Sequence, residues 1–308
     1  MNIMTKEISY APDAFRMLRG CFCLYKPSKK GFRKTRSALT TKIIDELNAM
    51  ECRSPRERIE ITGDLSISND SNLNVEIRSN LADHPLVSGQ RYNSKQIPLM
   101  FTNNPGWYSS GIMVGFIGSD AYKGIQFKRY NLPKLYEIKG EFGLASLNYR
   151  DDGKVRMKSS YKHIQEIFFE RILSKIEAAQ RSLMFKVANV QIQSEEAYQL
   201  AIKGQVNPQT KQTMPLIMAI KPITFQPPDF SFQVQCQNEQ EQFLAELVNE
   251  IGIGLKSCAR CTGIRLIQYG PFTIEHGLLQ KHWTLENLIE NIYECQKILN
   301  NFEKQYQR

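Results

Sequence analysis

The chain has 308 residues, of which 42% are hydrophobic and 10% aromatic, and this composition excludes a generally disordered protein. No apolar run approaches the roughly 20 residues that cross a bilayer, so the sequence predicts a soluble protein. The formal net charge of +9 favours a polyanionic partner, but charge alone does not choose among RNA, DNA and an acidic lipid surface.

The seven cysteines are an odd number spread over a long chain, which does not suggest a disulfide framework and favours a reducing compartment. Cys258 and Cys261 have the spacing of metal ligands. Because no second such pair and no paired histidines accompany them, we predict structural thiols. Cys21 and Cys23 alternate in GCFCLY and are expected on one buried face of a strand.

The chain opens with an extension and a basic segment. Residues 1–17 contain acids and lack an apolar core, so they resemble neither a signal peptide nor a good transit peptide. A short buried strand at 20–25 leads into KPSKKGFRKTR at 26–36, which has six basic residues and no acid. Pro27 and Gly31 predict a loop here, and we favour phosphate contacts over a merely solvated surface.

A helix, several strands and a polar segment follow. SALTTKIIDELNAM predicts a helix capped by Ser37 or Thr40. Residues 51–80 are polar and rich in Asn and Ser, and the alternation in LNVEIRS predicts an edge strand or an insertion. Strands are also predicted at 110–118, where SGIMVGFIG is apolar and bounded by glycines, and at 134–146, where KLYEIKGEFGLAS alternates.

The C-terminal half is dominated by apolar residues at helical spacing. SEEAYQLAIKG predicts a helix that Ser194 caps and Gly204 ends. Pro222, Pro227 and Pro228 predict a loop before FSFQVQC, a strand of strict alternation. Further helices are predicted from residue 164 to beyond 176, at 238–252 and at about 284–305.

Several segments occur in an order that resembles the TruB family of pseudouridine synthases: the strand ending in Lys-Pro, KLYEIKGEFG, EEAYQLAIKG and the closing run from VQC to IEHGLL. DHPLVSG at 83–89 and the C-terminal half are most similar to the animal mitochondrial branch, which lacks an added PUA domain. The resemblance covers roughly residues 18–290.

The resemblance implies a pseudouridine-synthase fold of the α/β (α+β) class. This fold has a long, mixed, mainly antiparallel sheet with flanking helices and an RNA cleft across one face. The sequence shows no internal repeat and no clear linker, so we predict one such domain at 18–308, with 51–80 as an insertion. The family also implies a uridine flipped out of the RNA, a mitochondrial location, and neither a metal nor an organic cofactor.

One family residue is missing from the expected turn. In the family, a turn of the form Gly-His-x-Leu-Asp precedes the strand that matches SGIMVGFIG. Its Asp acts on the ribose C1′ or assists the detachment of uracil, which then rotates and rejoins through C5. Counting back from Gly111 places this position at Gly106, and no Asp or Glu occurs from His84 through Ser119.

A second departure agrees with the first. The family has an Arg in the helix after the VxC strand, where it pairs with the catalytic Asp, and this position falls near Ala245. An unpaired buried Arg is costly, so losing the Asp removes the reason to keep the Arg. The paired losses indicate that the active site has been dismantled.

The RNA-facing residues of the family are retained in part. The resemblance gives Tyr136 the role of stacking on the target base, and the alternative is an ordinary half-buried strand tyrosine. Tyr198 matches an RNA-side position, and its alternative is ordinary helix packing. Trp107 and Tyr108 occupy the turn, and we predict that they plug the pocket rather than stack on RNA. The predicted RNA-binding residues are Lys26, Lys29, Lys30, Arg33, Lys34, Lys134, Tyr198 and Lys203, the last in place of the usual Arg.

Three functions are compatible with these observations. The first is a TruB homologue without catalytic activity that binds mitochondrial rRNA, mRNA or tRNA. The second is a working uridine isomerase with a displaced acid, such as Asp83 or Asp120. The third is a protein-interaction component of a mitochondrial ribosomal or RNA-processing assembly, with apolar surface around Trp107. The sequence has no convincing Ser-His-Asp series, phosphate loop or dinucleotide fingerprint to support a hydrolase or dehydrogenase.

Overall fold

The computed structural model describes residues 9–52, 57–62, 74–80, 85–187, 190–191, 193–202 and 215–306. The helices are α1 Ala11–Met17, α2 Phe32–Ala49, α3 Pro85–Ser88, α4 Lys123–Arg129, α5 Glu166–Val187, α6 Glu195–Ile202, α7 Glu241–Gly254 and α8 Leu285–Tyr306. The strands are β1 Gly20–Lys26, β2 Glu57–Thr62, β3 Asn74–Ser79, β4 Leu99–Phe101, β5 Ser110–Ile117, β6 Lys134–Phe142, β7 Leu144–Ser146, β8 Val155–Lys158, β9 Leu216–Gln226, β10 Asp229–Gln237, β11 Ala259–Tyr269 and β12 Phe272–Thr273.

Eight of these strands form one mixed sheet in the order β1-β5-β11-β6-β10-β9, with β4 paired to β5 and β12 to β11. The pairs are antiparallel except for β5 with β11, which is parallel. The predicted mixed, mainly antiparallel sheet with flanking helices is therefore confirmed. Strands β2 and β3 form a separate hairpin, as do β7 and β8. Placing 51–80 as an insertion in a domain at 18–308 stays a prediction.

The first strands of the sheet are buried on both faces. Cys21 and Cys23 lie fully buried on one face of β1, as predicted, in the core that also contains residues of α5, α7 and the second half of α8. Phe22 and Leu24 lie on the other face, in the core shared with α2 and the first half of α8. This double burial explains the near-continuous apolar sequence of β1 and β5, since a strand covered on both sides has no polar face.

Gly111 holds the junction between the two halves of the sheet. Its backbone has φ +126°, and a Cβ added there would lie 2.2 Å from the main-chain oxygen of Leu266. Gly111 and Leu266 are one of the two residue pairs that join β5 to β11. Only glycine fits this conformation and this close approach.

The structure corrects two local predictions. Helix α2 begins at Phe32, with Gly31 as its N-cap residue, so part of the basic segment is helical and Ser37 and Thr40 lie inside the helix. Arg and Lys are good helix formers, and no Gly or Pro follows Gly31 to interrupt them. Pro222 lies within β9 rather than in a loop. An edge strand tolerates proline because one side of it makes no ladder hydrogen bonds.

The other predicted elements occur close to their predicted positions. Strands β5 and β6 and helices α5, α7 and α8 all have the expected type. Ser194 caps α6, since its Oγ accepts a hydrogen bond from the Ala197 amide at 3.2 Å. The predicted end of this helix at Gly204 lies outside the described residues. Among the described helices, none is both long and apolar enough to span a bilayer.

Candidate functional site

A cavity of about 220 Å³ lies where the turn before β5, the start of β6 and the start of α7 meet. Asn103 fixes this turn, because its Nδ2 donates to the Ile112 oxygen at 2.9 Å and its Oδ1 accepts from the Val114 amide at 2.9 Å. The cavity is lined by Asn103, Asn104, Pro105, Gly106, Ser109, Lys134, Tyr136, Glu239, Gln240, Glu241 and Leu244.

A carboxylate stands beside Gly106, although the turn has no acid of its own. Glu241 Oε2 accepts hydrogen bonds from the Ser109 amide at 2.7 Å and from Ser109 Oγ at 2.8 Å. Its Oε1 forms an ion pair with Arg150 Nη2 at 2.9 Å. A Cβ added at Gly106 would lie 2.0 Å from Glu241 Oε2. The side chain of Glu241 therefore occupies the space that a side chain at position 106 would need.

The aromatic residues of the turn do not fill this cavity. Trp107 is 50% exposed, and neither it nor Tyr108 is among the lining residues. Tyr108 is buried on the other side of the turn, where its hydroxyl donates to Asp151 Oδ1 at 2.7 Å and lies 3.0 Å from the Cys261 oxygen. The prediction that the two rings plug the pocket is wrong, because the Tyr108 hydroxyl finds its buried partners away from the cavity.

A second carboxylate holds the predicted stacking tyrosine. Glu239 Oε1 accepts from the Tyr136 hydroxyl at 2.7 Å and pairs with Lys134 Nζ at 2.7 Å. Tyr136 is 5% exposed, and burial, together with the charge of Glu239, raises its pKa well above the usual value. Tyr136 thus lines the cavity as a neutral ring with its hydroxyl fixed, and base stacking stays a prediction.

Lys26 lies underneath the turn. It is fully buried, and its Nζ donates to the Ser109 oxygen at 2.6 Å and to the Pro27 oxygen at 3.2 Å. Burial lowers its pKa to about 8, against the opposing effect of the nearby Glu241 charge. This position does not fit the predicted phosphate contact. Because β1 ends beneath the turn, Lys26 supports the main chain of Ser109 instead.

This burial predicts a pH effect on stability. The free energy of unfolding of the natural protein, relative to a Lys26→Met variant, is expected to rise as pH increases from about 8 to 10.5. In that interval Lys26 is largely neutral in the folded protein and protonated in the unfolded chain. The unfolded state therefore binds more protons, and raising the pH disfavours it relative to the folded state. Urea unfolding of both proteins at the two ends of the interval measures the difference. A constant or falling difference contradicts the expectation.

The other basic residues of the predicted segment are solvent-exposed. Lys29, Lys30, Arg33 and Lys34 are exposed around the first turn of α2. Lys29 lines a second cavity of about 280 Å³, whose other lining residues include Tyr108, Ser110 and Arg265. The two cavities thus flank the same turn, with Ser109 on one side and Ser110 on the other.

The remaining predicted residues are scattered. Tyr198 is 61% exposed on α6, which excludes ordinary helix packing as its role, whereas Ala245 is fully buried in α7. Asp120 pairs with Arg19 at 3.0 Å and with Lys123 at 3.1 Å and does not line the cavity. Lys203 and Asp83 lie outside the described residues.

The sequence interpretation missed Glu239, Glu241 and Arg150. A signal for the two acids existed, because β10 runs antiparallel to β6 and Cys236 pairs with Lys134. The residues after Cys236 therefore return over the start of β6, where Tyr136 lies. Acidic residues are also favoured at the start of a helix such as α7 by its macrodipole. Arg150 had no such signal, since it lies in the turn between β7 and β8.

The two cysteines with the spacing of metal ligands are buried thiols. Cys258 and Cys261 are both free and fully buried, and burial raises the pKa of Cys261 to about 12. Within the part of the chain that the structure describes, no group of three or more His, Cys, Asp or Glu residues is arranged to hold a metal ion.

Residues 107–241 match the family described as TruB family pseudouridylate synthase (N terminal domain). The "Pseudouridylate synthase TRUB2, mitochondrial" of Xenopus tropicalis is 32% identical over 292 residues, which are 93% of this chain and 88% of that protein. Its Homo sapiens counterpart is 30% identical over 278 residues, covering 89% and 83%. The "Pseudouridylate synthase TRUB1" of Homo sapiens is 27% identical over 167 residues, covering 54% and 47%.

The chain belongs to the TruB family of pseudouridylate synthases, and the predicted similarity to the mitochondrial branch is confirmed. The chain therefore has the pseudouridine-synthase fold, as the resemblance implied, and the eight-stranded sheet is part of this fold. Among solved structures, a chain of the archaeal box H/ACA sRNP Nop10-Cbf5 complex is similar, with a TM-score of 0.47 and 11% identity. The similarity covers 91% of this chain and 55% of that chain.

Proposed function

We propose that this protein binds RNA in mitochondria as a TruB-family homologue that does not isomerise uridine. The observation that carries the proposal is the state of the carboxylate beside Gly106. A carboxylate that acts at the ribose C1′ must contact a developing charged centre. Glu241 Oε2 is instead held within the turn by two hydrogen bonds, from the amide and the hydroxyl of Ser109. The group that fills the position of the family's acid is thus held by the protein itself.

The exposed cations around the start of α2 support the RNA-binding part of this proposal. Lys29 lies at the same turn as the cavity, and Lys30, Arg33 and Lys34 continue the positive surface from it. Single-stranded or looped RNA is held by such a surface together with aromatic rings that accept stacked bases. Tyr136 in the cavity and the exposed Tyr198 are rings of this kind.

Salt dependence tests the RNA contacts. A Lys29→Gln, Lys34→Gln variant is expected to bind mitochondrial transcripts more weakly than the natural protein. The slope of log affinity against log salt should become less steep by about 0.7 for each phosphate that the variant no longer neutralises. The measurement is fluorescence anisotropy over a salt series.

The matched control changes two exposed lysines in the second half of α8, Lys297→Gln and Lys304→Gln. This part of α8 lies by Cys21, toward the opposite end of β1 from Lys26. The control should keep the natural slope. Equal slopes for both double variants would remove the start of α2 from the RNA interface.

One observation favours an active isomerase as the second candidate. Glu241 and Arg150 form a carboxylate–Arg pair where the family's pair is expected, although the acid comes from α7 and the Arg from the turn after β7. In this candidate Glu241 takes the role of the absent Asp. It requires pseudouridine formation that a Glu241→Gln variant abolishes.

The mitochondrial location is proposed from the names of the relatives, and mitochondrial rRNA, mRNA or tRNA are the proposed partners. The protein needs neither a metal nor an organic cofactor for this function. Ribosome-assembly or RNA-processing proteins are further proposed partners. Closure of the cavity by Trp107 would favour a purely protein-binding role. Trp107 is half-exposed and does not close the cavity.

A further inference from the structure

Glu239 carries an oxygen atom that the described structure leaves unpaired. Its side chain is 3% exposed, and Oε1 is engaged by Tyr136 and Lys134. Its Oε2 is buried and has no hydrogen-bond partner. Glu239 lines the cavity together with both of these partners. Buried carboxylate oxygens without a donor are unfavourable, so this atom is a natural acceptor for a ligand.

Lys134 places a donor next to this acceptor. Its Nζ lies 2.7 Å from Glu239 Oε1, and its side chain is 22% exposed, so it retains N–H groups for a ligand. An acceptor beside a donor complements a base edge that carries an imino N–H beside a carbonyl. Uracil has this edge in N3–H with O4, and guanine has it in N1–H with O6. Cytosine and adenine present a ring nitrogen acceptor there instead.

We propose that Glu239 and Lys134 read the keto–imino edge of a base that enters the cavity, with Glu239 Oε2 accepting the imino N–H and Lys134 Nζ donating to the carbonyl. This inference rests on the proposed RNA binding and deepens it by naming the base edge that the cavity recognises. Tyr136 contributes by fixing the Glu239 carboxylate through its hydroxyl. Uracil and guanine both carry this edge, and the test below distinguishes the two.

The test compares short adenosine oligomers that carry one central uridine, cytidine, N3-methyluridine or guanosine. Adenine lacks the keto–imino edge, so the central base is the only ligand of the proposed kind. Uridine should bind at least about tenfold more tightly than cytidine and N3-methyluridine, because a good two-point contact discriminates to that extent. The relative affinities of the uridine and guanosine oligomers show whether the cavity takes a pyrimidine or a purine ring. Either order of affinity supports recognition of the keto–imino edge. Equal binding of uridine and N3-methyluridine overturns the proposal without any mutation.

A Glu239→Gln variant provides an independent arm. Tyr136 and Lys134 are both donors, so the amide oxygen must face them and the amide N–H₂ must take the place of Oε2. The preference for uridine over cytidine should then be lost or reversed. A thermal melt checks folding, and Glu250→Gln on the exposed side of α7 is the matched control, with the natural preference retained.

The outcomes separate this inference from the proposed function. Binding of the oligomers without discrimination, or an unchanged preference in Glu239→Gln, overturns the base-reading role and leaves RNA binding intact. Failure of every oligomer and of structured mitochondrial transcripts to bind the natural protein overturns both.

Discussion

A Gly106→Asp variant is expected to be less stable than the natural protein by about 3 kcal/mol. The backbone at position 106 suits any residue, but the new Cβ would lie 2.0 Å from Glu241 Oε2. Glu241 must then leave Ser109 and Arg150, which breaks two hydrogen bonds and a largely buried ion pair. The new carboxylate also adds a like charge to the same space. Urea unfolding measures the loss.

The same substitution with Glu241→Gly should recover most of this stability. The aspartate at position 106 then has the vacated space and Arg150 as its partner, so the two changes should be strongly non-additive, by about 2 kcal/mol. Gly31→Asp is the comparison, because no atom lies within 4 Å of a Cβ added there; as the N-cap residue of α2 it should be at least as stable as the natural protein. Additive losses in the double variant would show that Gly106 and Glu241 do not compete for one space.

The Gly111→Ala variant is expected to lose about 4 kcal/mol of stability or to fail to accumulate as folded protein. Two costs combine here. An alanine is strained at φ +126°, and its Cβ would meet the backbone oxygen of Leu266 at 2.2 Å, where no flexible side chain can move away. Because this pair joins β5 to β11, the damage spreads to the turn that carries the candidate site.

Gly263→Ala is the control for this prediction. Gly263 lies in the same sheet, and the nearest atom to an added Cβ is the Lys139 Cβ at 3.9 Å. This variant should stay within about 1 kcal/mol of the natural protein. Chemical unfolding monitored by circular dichroism compares the two. Similar stabilities for both variants would contradict the role given to Gly111.

Local sequence patterns predicted four of the eight strands of the main sheet, β1, β5, β6 and β10, together with helices α5, α7 and α8. The apolar run of β5, the alternation of β6 and the helical spacing of α7 and α8 each reflect which faces of the element are buried. The structure has these elements close to the predicted positions. Strands β4, β9, β11 and β12 were not predicted, although β11 supplies one side of the β5 junction. Strand β11 follows Cys258 in CARCTGIRLIQY. This segment was interpreted only by the spacing of its two cysteines, and its alternating pattern was overlooked.

The candidate site was predictable only in part. Tyr136 and Lys134 followed from the resemblance to the family, and the structure places both at the cavity. The contact between Ser109 and Glu241 joins residues 132 positions apart, and no local pattern encodes such a contact. The sequence therefore showed that the turn before β5 has no acid, and it did not show that Glu241 occupies the space beside Gly106.

Pseudouridine mapping shows whether this protein isomerises uridine in mitochondrial RNA. Mitochondrial RNA is mapped at single-site resolution in cells depleted of the protein, and again after restoration with the natural protein or with a Glu241→Gln or Tyr136→Ala form. We expect every pseudouridine to persist on depletion, while RNA or ribosome assembly suffers and recovers with the natural protein. Specific sites that vanish on depletion and return with the natural protein, but not with Glu241→Gln, would contradict this expectation and make Glu241 the catalytic acid.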